Sequence, residues 1–459
     1  MKQAQFHKCS ILNEAIILFS LILMVPACQS PNSEQSQDKQ KVERATIEDV
    51  EKGIRTHIEK EVAENDGYFH YEGDTSVLDL KLVRVHTEYL SVLGSNKFFA
   101  CVDLATIEGD VYDVDFFLDG TADSMKVTRT NLHKLNGKPY YTWKQAKDKT
   151  WFTVPVKNAS NDLLGVIEGQ DRFTFKYEVQ LPKISAKGEL WLPLAQSDRF
   201  QQIVSQTIEA PVDYSIIKEA TFGNQILFME ISPEHSEEKI TITYDVIREE
   251  KTAYRDEEAD LDQYLKGTPL IPLTDRFSTI ANEVLAESNA STPLTEARAL
   301  YDYIIDNMRY AKQGTYGTGD ANYACDSKSG NCTEFHSFFI ALVRSVGIPA
   351  RFAVGASIPS ERNEGGVNGY HCWAEFYAEG KWWPIDISEG NKYTPLATYY
   401  FGHHPANRIE LSKGRNLEIS PGPVSGPIPF MAYPILEINE QPVNVKTTFS
   451  FQRKPNTSS

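Results

Sequence analysis

The chain is poor in several features that would assign it quickly. Positive charge is short: 46 Lys and Arg stand against 63 Asp and Glu, a formal net charge of −17. Phosphate backbones are bound by clustered Lys and Arg, so no nucleic acid is expected as a partner. Six cysteines in 459 residues are too scattered for a disulfide framework. No CxxC or HxxxH spacing points to zinc, and no EF-type loop gathers the acidic residues around calcium. Neither a metal nor another cofactor is therefore expected. There is no short-period repeat. The apolar run from Ala15 to Val25 is too short to cross a bilayer comfortably. What remains is an ordinary globular composition, 41% hydrophobic and 24% charged, with length for about two to four domains.

The apolar run follows Lys2 and Lys8 and ends Val25-Pro26-Ala27-Cys28. This resembles a bacterial lipoprotein signal, in which a small residue precedes a cysteine that is cleaved and acylated. The resemblance implies a signal peptide over 1–27, lipidation of Cys28 and a flexible Ser/Gln/Asp-rich tether over 28–44. It also implies a lipid anchor in the bacterial cell envelope, on the outer membrane or facing the periplasm. Val25, Pro26 and Glu14 depart from the commonest pattern, and an ordinary signal peptide that merely contains a cysteine is the alternative. Export permits disulfides. Cys101, Cys325, Cys332 and Cys372 then remain, read as free or buried thiols, with a Cys325–Cys372 bridge as the other option.

Three regions follow. Over 45–157 a helix is expected first, from Thr46 to Asn65, because Ile47, Val50, Ile54, Ile58 and Val62 recur at helical spacing. Strands are expected at Leu78–Val83, Lys97–Ala105, Val111–Leu118 and Ser124–Leu132, making a small α+β domain with no evident chemistry. Over 165–268 alternation at Phe173–Leu181, Lys187–Leu194, Thr207–Tyr214, Ile226–Ile231 and Ile240–Ile247 predicts an all-β sandwich. The charged stretch from Glu249 to Tyr264 reads as a linker. Over 272–453 helices are expected at Phe277–Ala286 and Leu294–Met308, before a Gly/Asp/Asn/Ser loop.

That loop ends at Gly330-Asn331-Cys332, and an apolar helical face begins: Phe335, Phe338, Phe339, Leu342, Val343, Val346. Cys332 thus opens a buried helix, where the helix dipole and unpaired N–H groups favour thiolate and can bind an oxyanion. Tyr370–Tyr377 alternates with His371 and Trp373 on one face, and Glu379-Gly380 is a hairpin signal. A two-residue turn pairs 378 with 381 and brings Asp386 to the face of His371. A thiol, a base and a base-orienting acid are the parts of nucleophilic acyl transfer.

With Gly347-Ile348-Pro349-Ala350-Arg351 and His371-Cys372-Trp373-Ala374-Glu375, the region resembles the transglutaminase-like superfamily, whose core is a papain-like thiol fold. Leu190-Trp191-Leu192-Pro193-Leu194 and Gly223-Asn224-Gln225-Ile226 resemble the β-domain that precedes such cores in bacteria. The resemblance implies Cys332 as nucleophile, His371 as base and Asp386 as orienting acid, with no cofactor. Ile387-Ser388 stands where the family usually has Pro-Thr. Tyr310 and Trp373 are candidates for substrate or oxyanion contacts. His336, one turn after Cys332, is an alternative base but reads better as packing. His403-His404 reads as a surface pair in a loop, and Trp382-Trp383 as core or cleft wall. The expectation is a cysteine-dependent enzyme acting on amide bonds of peptides or proteins, cell-wall peptide included, with hydrolysis favoured over cross-linking. The alternative is a surface-anchored module that binds protein or glycan and keeps the core only as a shape.

Overall fold

The computed structural model describes residues 45–455 except 74–76, 95, 146–150, 156–164, 289, 313–315 and 393–395. Cys28, the signal and the tether lie outside the described residues. No described helix is long and apolar enough to cross a membrane.

The first helix, Ile47–Glu64, starts at a reciprocal cap: Thr46 accepts from the Asp49 N–H, and Asp49 accepts from the Thr46 N–H. Val50, Ile54 and Ile58 face a seven-stranded antiparallel sheet and share its core with Val102, Val114 and Phe116. All four predicted strands are present there, each within a few residues of its expected ends.

The sandwich has two five-stranded sheets around Phe175, Tyr177, Leu190, Leu192 and Tyr244. Its strands differ from expectation in two ways. Residues 207–214 are not one strand. Pairing covers Gln201–Glu209, breaks across Pro211, which has no N–H to give a ladder, and resumes at Ser215–Lys218. The C-terminal strands expected with the catalytic domain lie in the sandwich instead. Lys446–Arg453 pairs with Gln170–Gln180, and Ile435–Ile438 pairs with Gly188–Leu194. Glu364–Val367, from the core itself, extends the same sheet. A boundary near 270 therefore cuts hydrogen-bonded sheets. The residues paired across that boundary, such as Gln180 with Lys446 and Trp191 with Ile435, are more than 200 positions apart, and no local period records that.

The core sets helices Asp275–Ser288 and Pro293–Asn307 and the buried helix Cys332–Ser345 against a four-stranded sheet. Sheet order is Lys381–Ile385, His371–Ala378, Ala350–Ser357, Arg408–Lys413. The hairpin has the expected register, with Ala378 opposite Lys381 and Ala374 opposite Ile385. Glu379 and Gly380 both have positive φ, 52° and 76°, as a type I′ turn requires. The architecture is α+β.

Candidate active site

The thiol is positioned by a helix start that carries its own scaffolding. Asn331 caps the helix, its Oδ1 accepting from the Thr333 N–H at 2.8 Å. The Asn331 N–H donates to Glu334 Oε2 at 3.0 Å. The other oxygen of Glu334 accepts from the N–H groups of Gly317 and Gly319, both at 2.8 Å. One buried carboxylate thus ties the preceding loop to the first turn. Gly330 is required for this approach, since a Cβ there would lie 2.4 Å from the Glu334 Cβ. Cys332 follows at the first helical position, 2% exposed. Its N–H belongs to the turn whose donors have no intrahelical partner, which suits an oxyanion contact.

His371 opens the strand His371–Ala378, and Asp386 directly follows the return strand Lys381–Ile385. His371 Nε2 donates to Asp386 Oδ2 at 2.6 Å, which leaves Nδ1 for the Cys332 sulfur, its hydrogen-bond partner. Asp386 is wholly buried and fully engaged. Oδ2 also accepts from Arg408 at 2.6 Å, and Oδ1 accepts from the Ser388 hydroxyl at 2.9 Å and the Glu389 N–H at 3.1 Å. Burial opposes ionisation, but His371 and Arg408 outweigh it and hold Asp386 well below the usual carboxylate range. Burial likewise pushes the His371 imidazolium down. The Asp386 charge and hydrogen bond, then the Cys332 contact, reverse this and lift it to about 9. Burial alone pushes the Cys332 thiol up. Hydrogen bonds from Cys372 and His371, then the His371 charge, bring it down to about 5. These directions describe a thiolate–imidazolium pair near neutral pH.

His336 is no rival base. Its Nε2 accepts from the Ile387 N–H at 3.2 Å, so Nδ1 carries the proton and donates to the Cys332 carbonyl at 2.7 Å. Burial leads the causes that lower it to about 4, so it stays neutral. The bond exists because residue 387 is not proline, which has no N–H to donate. Residue 387 opens a short helix, Ile387–Lys392, where a proline ring is otherwise tolerated. Ile387→Pro should therefore cost about 1–3 kcal/mol, the penalty for a buried unpaired acceptor, in urea unfolding. An unchanged midpoint would count against the bond.

Trp373 is fully buried, 6.1 Å from the His371 ring and 5.8 Å from the His404 ring, with Arg408 4.9 Å from its face. It walls the imidazole and lines a cavity with Lys251 and Glu375. Tyr310 lines a separate cleft of about 390 Å³ with His371, Tyr370, Glu389, Lys392 and Tyr400. His403 and His404, expected at the surface, are both buried. His404 donates from Nε2 to the Ile385 carbonyl at 2.9 Å, and its backbone bridges to Lys251, which draws the loop inside. Trp382 and Trp383 are core. Lys251 and Tyr254, in the supposed linker, bind the buried Glu375 carboxylate at 2.8 Å each, beside Arg351 at 2.7 Å. The described cysteines, Cys101, Cys325, Cys332 and Cys372, are all free and buried, so Cys325 and Cys372 are not bridged. Arg408 and Ser388 were not foreseen as site residues. Ser388, two residues after Asp386, was the one with a local signal.

Residues 279–387, which contain Cys332, His371 and Asp386, match the family model of the transglutaminase-like superfamily. The chain carries a transglutaminase-like core. With its thiol at the start of a buried helix and its imidazole on the adjoining sheet, that core is of the papain-like thiol kind. Among curated relatives it is 25% identical over 322 residues to an uncharacterized protein of Haemophilus influenzae, spanning 59% of this chain and 86% of that one. It is 24% identical over 284 residues to the uncharacterized protein YebA of Bacillus subtilis, spanning 53% of this chain and 37% of that one. Among solved structures it is similar to a candidate cysteine protease from Cytophaga hutchinsonii, with a TM-score of 0.42 and 13% identity over 62% of this chain and 99% of that one. A candidate protease from Parabacteroides distasonis has a TM-score of 0.23 and 10% identity, over 73% and 68%.

Proposed function

We propose that the chain is a cysteine-dependent acyl-transfer enzyme that hydrolyses amide bonds of peptides or proteins through Cys332, His371 and Asp386. One observation carries the reading: the unbroken hydrogen-bonded series from the Cys332 sulfur through His371 to Asp386. The thiolate attacks the carbonyl carbon, and the His371 imidazolium hands its proton to the leaving amine. The resulting thioester is released by water that His371 deprotonates. Asp386 holds the ring in the tautomer that keeps Nδ1 on the sulfur. The substrate is peptide or protein, cell-wall peptide included. The place of action is the bacterial envelope, reached through a lipid on Cys28.

Iodoacetamide labelling tests the site without a known substrate. Cys332 should be alkylated selectively, with a rate that rises as pH climbs through about 5 and the thiolate appears. Amide turnover needs the imidazolium as acid as well, so it should fall again as pH passes about 9. His371→Ala should slow labelling at neutral pH. Equal, slow alkylation of all the thiols would end the reading.

A further inference from the structure

The acyl-transfer reading leaves one buried reactive group unused. Cys372 follows His371 directly, faces the nucleophile helix rather than the cleft, and is fully buried. Its sulfur lies 3.6 Å from Nδ1 of His336, the same nitrogen that is bonded to the Cys332 carbonyl at 2.7 Å. One imidazole, itself pinned by the Ile387 N–H, therefore spans both cysteines. Each thiol also counts the other among the causes that shift it, Cys332 downward and Cys372 upward. Cys325 lies in the same apolar core, as a further free thiol, and serves below as the control.

We propose that Cys332 and Cys372 form a reversible peroxide-responsive pair, in which Cys372 captures the oxidised nucleophile as a disulfide. The chemistry goes beyond the acyl-transfer reading, because it needs the two sulfurs, a proton from His371 and a hydroperoxide, and no amide substrate. In the first step the Cys332 thiolate attacks one peroxide oxygen and the O–O bond breaks. With hydrogen peroxide, hydroxide leaves, takes the His371 proton and departs as water. Cys332 becomes a sulfenic acid. In the second step the Cys372 sulfur attacks the Cys332 sulfur, the S–O bond breaks, and the Cys372 proton leaves with the oxygen as a second water. Peroxide is reduced and two thiols are oxidised to one disulfide.

The surroundings order these steps. Cys372 is held in its thiol form first by burial, then by its hydrogen bond to Cys332 and the Cys332 charge. Oxidation of Cys332 to the neutral sulfenic acid removes that charge, so the resolving thiol is released only after its target has formed. Until then the Cys372 proton supports the Cys332 thiolate. The pair has a protective consequence. A sulfenic acid with no neighbouring thiol goes on to sulfinic acid, which is not reversible by ordinary thiols.

The test treats the full chain with hydrogen peroxide and maps it by mass spectrometry. Wild type should give a peptide pair joined through Cys332 and Cys372, short of two hydrogens. Iodoacetamide labelling of Cys332 should vanish and return with dithiothreitol. Cys372→Ser and Cys372→Ala should instead accumulate sulfinic acid at Cys332, with labelling that does not return. Cys325→Ser should behave as wild type, and circular dichroism checks that each variant is folded. Wild-type Cys332 that reaches sulfinic acid as fast as in both Cys372 variants would overturn the proposal, as would a disulfide to Cys325. None of these readouts uses amide turnover, so they succeed or fail separately from the hydrolase reading.

Discussion

Asp386→Asn should reduce amide turnover on the order of 10³–10⁴-fold, the scale of losing the base's tautomer in a hydrogen-bonded triad. The site explains why an amide is a poor substitute here. Both carboxylate oxygens face donors: His371 and Arg408 on Oδ2, Ser388 and the Glu389 N–H on Oδ1. Whichever way the substituted amide turns, its NH₂ group meets donors. The negative charge that lifts His371 is also gone, while the Arg408 charge remains and pushes the imidazolium down. A neutral His371 supports the Cys332 thiolate less. The acid limb of iodoacetamide labelling should therefore move up from about 5, and labelling at about pH 4, below both midpoints, should fall about tenfold for each pKa unit of that shift. A labelling profile that does not move would show that Asp386 has no hold on the ion pair.

Arg408→Met should have the largest effect on stability, about 3–5 kcal/mol. Arg408 is 1% exposed and lies between the Asp386 carboxylate and the faces of Trp373 and Tyr400. Methionine fills part of that space but leaves a buried carboxylate without one of its two counter-charges. The loss is an uncompensated buried charge, so it should exceed that of any exposed ion pair, such as Lys239–Glu178. Urea unfolding of Arg408→Met against a Lys239→Ala control measures it directly. A midpoint shift no larger than the control's would mean that the Asp386 site does not depend on this arginine.

Much of the candidate site was legible because its parts are locally encoded. The apolar stripe Phe335–Val346 and the Gly-containing loop before it put Cys332 at a helix start. The turn at Glu379-Gly380 set the register that carries Asp386 to the face of His371. His403-His404 was misread because two polar residues in a loop normally face water. Here a backbone bridge to Lys251 and a bond to the Ile385 carbonyl draw the loop under the sheet. The linker was misread for a similar reason. Lys251 and Tyr254 look like parts of a solvated charged run until Glu375 is placed between them. Ile387 was noticed only as a departure from a familiar pattern. Its use, an N–H for His336, needed coordinates.

The longer helices, the strands of the first domain, much of the sandwich, the hairpin register and the chain order of Cys332, His371 and Asp386 were readable along the chain. Those depend on backbone periods and turns that operate within a few tens of residues. Folding in three dimensions settled that Arg408 neutralises Asp386, that one His336 nitrogen reaches both Cys372 and the Cys332 carbonyl, and that residues 435–453 complete a sandwich begun at 170. Such contacts arise when separately formed faces pack together. Packing selects partners by shape and charge across the folded interior, and it leaves no repeat along the chain from which they could be read.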